Sequence, residues 1–345
     1  MKQSIIICLF LLLTSTVYSV SINPDSNTTA QSEGIELKAL KKRVNQLEKE
    51  LASYKKVKPV ASSMKIVTSQ AETSSNNTSK STKFILTSKA PSKLPTYFTA
   101  AYQDINTLSI KLETHGFTVL SKDEILKDQI VLSVTNDEMK KTNSFLAVLH
   151  ILVNANKEIR LQNPSYFAAA YLQKKYRYGD FNETLKSLES VLGDLYESRD
   201  RLVLSDLASY NFMLTLPRLE DTILVDSGKN IVDKLTQKGS NRYVSYMLTL
   251  PNGSVLVGHK LSMETYDYLN KIDAKNNALL FPYEVMIFKD KAVMLAPKYY
   301  LALSLPLLSM TDFMKIASAP DAIVKDIKDA YIESVKESVE TKPVE

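Results

Sequence analysis

The chain has 345 residues, 44% of them hydrophobic, with 18 Tyr and 11 Phe, which is enough for packed cores and excludes global disorder. The net charge is +5, yet Lys38–Lys93 alone holds 13 basic and 3 acidic residues, 13 − 3 = +10, so the remainder offers no basic nucleic-acid face. This length leaves room for two ordinary domains and an extension.

The first predicted element is a secretory leader over residues 1–19. Lys2 supplies the charge, Ile5–Leu13 a nine-residue apolar run, and Val17 and Ser19 acceptable residues at −3 and −1. Cleavage after Ser19 would deliver the mature protein to the periplasm. The alternative, an uncleaved anchor, meets the difficulty that nine residues fall short of the roughly 20 needed to span a bilayer. The one cysteine, Cys8, lies within the leader. A mature chain without cysteine has no disulfide, no thiol catalysis and no thiolate metal site. No later segment approaches 18 apolar residues, so no integral membrane segment is expected after cleavage.

A polar leader, 20–35, precedes a heptad stretch over 36–56. Leu37, Val44 and Leu51 take the a positions, and Leu40, Leu47 and Tyr54 the d positions. In a parallel dimer the flanking pairs Glu36–Lys41, Arg43–Glu48 and Glu50–Lys55 would all be of opposite sign. This pattern predicts self-association, although two and a half heptads are short and docking on the chain's own body is the alternative. Residues 57–82 are rich in Ser, Thr, Lys and Asn and read as a flexible linker.

A segment of about 130 residues then occurs twice, as copy one (83–205) and copy two (206–337), before a tail, 338–345. Five collinear matches carry the repeat. They are Phe84–Thr87 with Phe212–Thr215, Leu112-x-x-x-Gly116 with Leu235-x-x-x-Gly239, and Ile130–Val134 with Ser254–Gly258 at an offset of 124. Pro164–Ala169 matches Pro297–Ala302 at 133, and Asp194–Tyr196 matches Asp329–Tyr331 at 135. In copy one the patterns predict strands Lys83–Thr87, Tyr97–Ala101, Phe117–Leu120 and Ile130–Val134, and a helix capped by Asp104 and closed by Gly116. A short helix Asn136–Asn143, a hairpin Leu146–Val153 with Glu158–Gln162, and helices Ser165–Lys174 and Asn182–Leu202 follow. Copy two repeats these elements, with its hairpin at Tyr283–Phe288 and Ala292–Leu295 and a last helix Pro320–Lys336. The order lacks βαβα regularity, so the class is α+β: two tandem copies of a small sheet with helices on one face, packed as one body.

The run Leu112-x-x-x-Gly116-Phe117-Thr118-Val119, then Ile151–Val153, Ile159 and Asn163-Pro164-Ser165-Tyr166-Phe167-Ala168, resembles the bacterial domain of unknown function 302 family. Such domains join a helix ending in Gly-Phe to a strand, a hairpin with a charged turn, and Asn-Pro-x-Tyr. Copy two departs from this at Ser240 and Ala296. The resemblance implies a fold and brings no chemistry.

Catalytic groups are sparse. The three histidines, His115, His150 and His259, lack metal-site spacing, and with eight Gly the chain has no phosphate-cradling loop. His259, after a strand, is the one placed to project toward a ligand. The repeated aromatic pairs Tyr166-Phe167 and Tyr299-Tyr300 read as core packing or, with His259, as the lining of an apolar pocket. Of five Asn-x-Ser/Thr sequons, at Asn27, Asn76, Asn77, Asn182 and Asn252, those at Asn27 and Asn182 carry an acid at −2 and are the candidate glycosylation sites, unless the coincidence is fortuitous. The reading is a non-enzymatic periplasmic scaffold without cofactor or metal, partnered by itself and by other envelope proteins. A flagellar-motor or secretion assembly is the analogy. The alternative is a ligand-binding module with a pocket in or between the copies.

Overall fold

The structure, a computed structural model, describes residues 82–211, 216–236 and 242–340. The leader, the heptads Leu37–Tyr54, the segment Phe212–Thr215, Gly239 and the sequons at Asn27, Asn76 and Asn77 lie outside the described residues.

Copy one runs β1 (Lys93–Pro95), β2 (Tyr97–Ala101), α1 (Ile105–Thr114), β3 (Thr118–Leu126), β4 (Gln129–Thr135), α2 (Asp137–Lys140) and a 3-10 turn Phe145–Ala147. It continues with β5 (Leu149–Val153), β6 (Glu158–Gln162), α3 (Pro164–Leu172), α4 (Asn182–Leu192), β7 (Tyr196–Glu197), β8 (Arg201–Val203) and α5 (Leu204–Leu207). Local chemistry sets the boundaries. The Asp104 carboxylate accepts from the backbone N–H groups of Asn106 (3.0 Å) and Thr107 (3.1 Å), which starts α1. Gly116, at φ +86°, ends the turn that follows it. Pro164 occupies the first turn of α3, where no N–H is needed, and the Asn163 side chain caps it by accepting from Ser165 N–H at 3.0 Å.

Copy two runs β9 (Ile223–Ser227), α6 (Ile231–Thr236), β10 (Val244–Thr249), β11 (Val255–His259), α7 (Met263–Tyr266), α8 (Tyr268–Lys271) and a 3-10 turn Lys275–Leu280. Then come β12 (Tyr283–Phe288), β13 (Lys291–Met294), α9 (Pro297–Ser304), α10 (Met310–Lys315) and α11 (Ala319–Glu340). The protein is α+β, with one sheet body in each copy. The sheets have orders β3-β4-β5-β6-β2-β7 and β10-β11-β12-β13-β9, antiparallel throughout. Strands β2 to β6 of copy one and β9 to β13 of copy two therefore share one spatial order, second, third, fourth, fifth, first; copy one adds β7 at the edge and the separate pair β1–β8. Pro164 and Pro297 both open the helix that follows the hairpin. Leu108 and Leu112 of α1, and Ile231 and Leu235 of α6, are all buried, as the repeat requires.

Three readings need correction. Ile151 pairs with Leu161, and Val285 with Met294, so these residues are equivalent; Leu132 and Val257, their partners on the middle strands, are then equivalent at 125. The offset of 124 for this strand was one residue out, and such a slip exchanges the two faces of a strand. Second, Lys83–Thr87 is no strand: Lys83 makes only an isolated bridge to Tyr196. Third, the last helix of copy one stops at Leu192, where Gly193 takes φ +77°. Tyr196 then pairs with Thr99 on the sheet edge, whereas Tyr331 lies within α11. The match of Asp194–Tyr196 to Asp329–Tyr331 thus has no structural counterpart.

The copies pack as one body around a continuous apolar core drawn from both. The exchange between them is reciprocal. Ala147, the last residue of the 3-10 turn that precedes β5, and Val148 after it pack with Tyr246, Leu250, Leu256 and Met286 of copy two. The 3-10 turn Lys275–Leu280, which precedes β12, lies against β4, β5 and β6 of copy one. Equivalent segments cross in both directions, as in a two-fold dimer fused into one chain.

Candidate functional site

The reciprocal crossing brings polar residues to the middle of the junction. Ser133 on β4 lies opposite His150 on β5, and Gly258 on β11 opposite Glu284 on β12. By the corrected register His150 and Glu284 are equivalent positions, and they meet: Nε2 of His150 is 3.9 Å from Oε1 of Glu284. The His150 side chain is 2% exposed and that of Glu284 15%. Next outward stand Ser121 in copy one and Tyr246 in copy two, opposite Ser133 and Gly258. The Tyr246 ring lies flat across Gly258, so close that a Cβ there would meet ring carbons at 2.3 Å. Only glycine allows this crossing. It brings the Tyr246 hydroxyl within 2.8 Å of Glu284, to which it donates. In copy one the same row is Ser121, Ser133 and His150. Beside the row, the buried Asp123 joins Lys260 at 3.2 Å and accepts from Ser245, both in copy two.

Burial governs the protonation of this cluster. It pushes the Glu284 carboxyl from the usual 4.5 up to about 8, opposed by the Tyr246 hydrogen bond. It pushes His150 down to about 4, opposed by the Leu279 carbonyl and the charge of Asp123. Near neutral pH the contact is therefore a carboxylic acid beside a neutral imidazole, not an ion pair. His150 Nδ1 lies 3.0 Å from the Leu279 carbonyl, which can only accept, so Nδ1 carries the proton and Nε2 turns a lone pair toward Glu284. Among the described residues no hydrogen-bond partner reaches Nε2.

The sequence-predicted site residues do not converge. Tyr166 donates to the Leu303 carbonyl at 2.7 Å, beside Tyr97 on Ser304 (2.6 Å) and Tyr210 on Ala302 (2.9 Å). These three hydroxyls satisfy carbonyls in the last turn of α9 that have no partner within the helix. Tyr299 packs edge-on against Tyr210, with ring centroids 6.1 Å apart. Tyr300 donates to the Leu280 carbonyl at 3.0 Å. His259 is wholly buried, its Nε2 3.0 Å from the Tyr331 hydroxyl, and burial lowers its pKa to about 4. Phe167 and Tyr300, with Gln162, Tyr171 and Glu284, line a cavity of about 10 Å³; Tyr166, Tyr299 and His259 do not. At the Asn182 sequon the Thr184 hydroxyl is buried, accepting from Asn136 at 2.9 Å and donating to Glu138 at 2.5 Å.

The sequence reading passed over His150 and Glu284. The available signal was a titratable residue in the middle of each apolar hairpin strand, Leu149-His150-Ile151 and Tyr283-Glu284-Val285. Their equivalence was hidden because the turn after Glu284 is one residue shorter than the turn after His150.

A second cavity, open and of about 190 Å³, lies where residues 83–87 pass the start of α3. Phe84, Pro95, Asn163, Ser165, Tyr178 and Leu185 contribute to its walls, and the Thr87 and Tyr178 hydroxyls are 3.2 Å apart beside it. Among the described residues no three His, Cys, Asp or Glu side chains are grouped to hold a metal ion. No helix among them is long and apolar enough to cross a membrane. No family model matches the chain, and comparison with curated proteins and with solved structures returns no match.

Proposed function

We propose that the protein is a non-enzymatic periplasmic scaffold, secreted with cleavage after Ser19, oligomeric through Leu37, Leu40, Val44, Leu47, Leu51 and Tyr54, and presenting its duplicated body to envelope partners. The observation that carries this reading is where the buried polar groups go. Tyr97, Tyr166 and Tyr210 cap the end of α9, and Tyr246 holds Glu284. The junction leaves a cavity of about 10 Å³, the room of a single water at most. Tyr97 and Tyr166 thus tie copy one to α9 of copy two, while Tyr210 and Tyr246 bond within copy two; these groups are committed to packing the body, which suits presentation of surfaces at the end of a linker. Envelope machinery of the flagellar-motor or secretion kind is the analogy. Descent of both copies from a domain of unknown function 302 ancestor belongs to the same proposal.

The test is the mass of the full-length mature chain by light scattering, with and without Leu40→Asp and Leu47→Asp together. An oligomer that the double change converts to a folded monomer supports the reading; a monomer before any change refutes it. Cross-linking in the envelope of the source cell then identifies the partners. A second reading, a ligand-binding module, is favoured by the open 190 Å³ cavity beside α3, where Asn163, Ser165 and Tyr178 add polar groups to an apolar wall. A Ser165→Trp variant that abolishes binding of a screened small molecule would move the conclusion to that reading.

A further inference from the structure

A single proton decides whether the middle of the junction is matched or opposed. The Leu279 carbonyl obliges His150 Nδ1 to carry a hydrogen, so any further proton on the ring sits on Nε2, facing Glu284. The carboxyl already accepts from Tyr246 on the oxygen nearest Nε2. With one proton shared by carboxyl and ring, the facing atoms are donor and acceptor, whichever of the two carries it. With none, a lone pair faces a carboxylate across buried space; with two, a buried imidazolium faces a neutral acid. We propose that His150 and Glu284 form a proton-operated latch between the two copies, closed while the pair holds one proton and weakened when it holds none or two.

The latch sits where it can act. Its two residues belong to β5 and β12, each next to the 3-10 turn that crosses to the other copy, and Leu279 lies in one of those turns. The other titratable or charged groups facing the pair are Asp123 from β3, Tyr246 from β10, Tyr283 from β12, Tyr171 from α3 and Tyr300 from α9, with Lys260 paired to Asp123. All of these tyrosines are pushed above their ordinary range by burial, so none takes the proton from Glu284 near neutrality. The burial that raises Glu284 to about 8 and lowers His150 to about 4 sets the one-proton window.

Hydrogen exchange on the full chain between pH 6.5 and 8 tests the latch. In this interval Glu284 is still protonated in the closed junction and already ionised once opened, so opening should become about tenfold easier with each pH unit. Base catalysis adds about tenfold per unit for any amide, so amides of β5 and β12 should speed by about a hundredfold per unit. In Glu284→Gln, whose amide can still accept from Tyr246 but cannot ionise, the same amides should speed only about tenfold. If that variant fails to fold, a carbon-13 titration of the wild-type carboxyls decides, with a Glu284 midpoint near 8 expected. Wild-type strands that speed only about tenfold per unit, or a Glu284 midpoint near 4.5, would overturn the latch.

Discussion

Replacing Gly258 by Ala is the sharpest probe of the junction. In an ordinary strand this change is mildly favourable, by about 0.4–1 kcal/mol, because alanine restricts the unfolded chain. Here the new methyl would stand 2.3 to 2.7 Å from three carbons of the Tyr246 ring, which must leave its bed on the strand. Overpacking of this kind costs about 1–3 kcal/mol. Displacing the ring also breaks the 2.8 Å hydrogen bond to Glu284 and exposes a side chain now 5% accessible, a further loss of about 1–3 kcal/mol. Less the alanine gain, the expected total is about 1–5.5 kcal/mol, read by urea unfolding at pH 6.5 with unchanged m-value. The control is the same substitution in a Tyr246→Ser background, which gives copy two the small residue that Ser121 provides in copy one. There Gly258→Ala should be neutral or stabilising. A loss below about 1 kcal/mol in the wild type, or an equal loss in both backgrounds, would show that the ring does not depend on the glycine.

Stability should peak near pH 6.5. His150 and His259 have folded values lowered from 6.5 to about 4, so their contribution is complete above 6.5 and is lost as pH falls through 4, by about 3 kcal/mol each at about 1.4 kcal/mol per pH unit. Glu284 is raised from 4.5 to about 8, so its contribution is complete below 4.5 and is lost as pH rises through 8, by about 5 kcal/mol. Two histidines outweigh one carboxyl below 6.5, and the carboxyl acts alone above; a stability profile rising from pH 6.5 to 8 would contradict these assignments. Restoring a cap where copy two has none, by Ala296→Asn, should stabilise the chain by about 1 kcal/mol in thermal or urea unfolding. No gain would mean that the residue before Pro297 cannot adopt the geometry of Asn163.

The short-range chemistry of this chain was legible one residue at a time. Asp104 acts through its own side chain and Gly116, Pro164 and Pro297 through their backbone preferences, so the start of α1, the turn after it, and the starts of α3 and α9 follow from sequence. The hairpin strand Glu158–Gln162 and the buried pairs Leu108/Leu112 and Ile231/Leu235 follow from periodicity, and of the five collinear matches those at Leu112 with Leu235 and at Pro164 with Pro297 have structural counterparts. Only the tertiary structure decided what depends on partners distant in sequence. It chose the register of β4 against β11, because strand pairing and not spacing selects between two faces of an apolar run. It returned Tyr196 to the sheet edge while Tyr331 stayed helical, since Gly193 ends α4 and Thr99 supplies the pairing partner. It spent Tyr166 on a helix end 137 residues away, and it brought His150 to Glu284. A polar side chain in an apolar strand is ambiguous until its opposite number is known. Here that opposite number is the same position in the other copy, and the folding of one copy against the other puts it there.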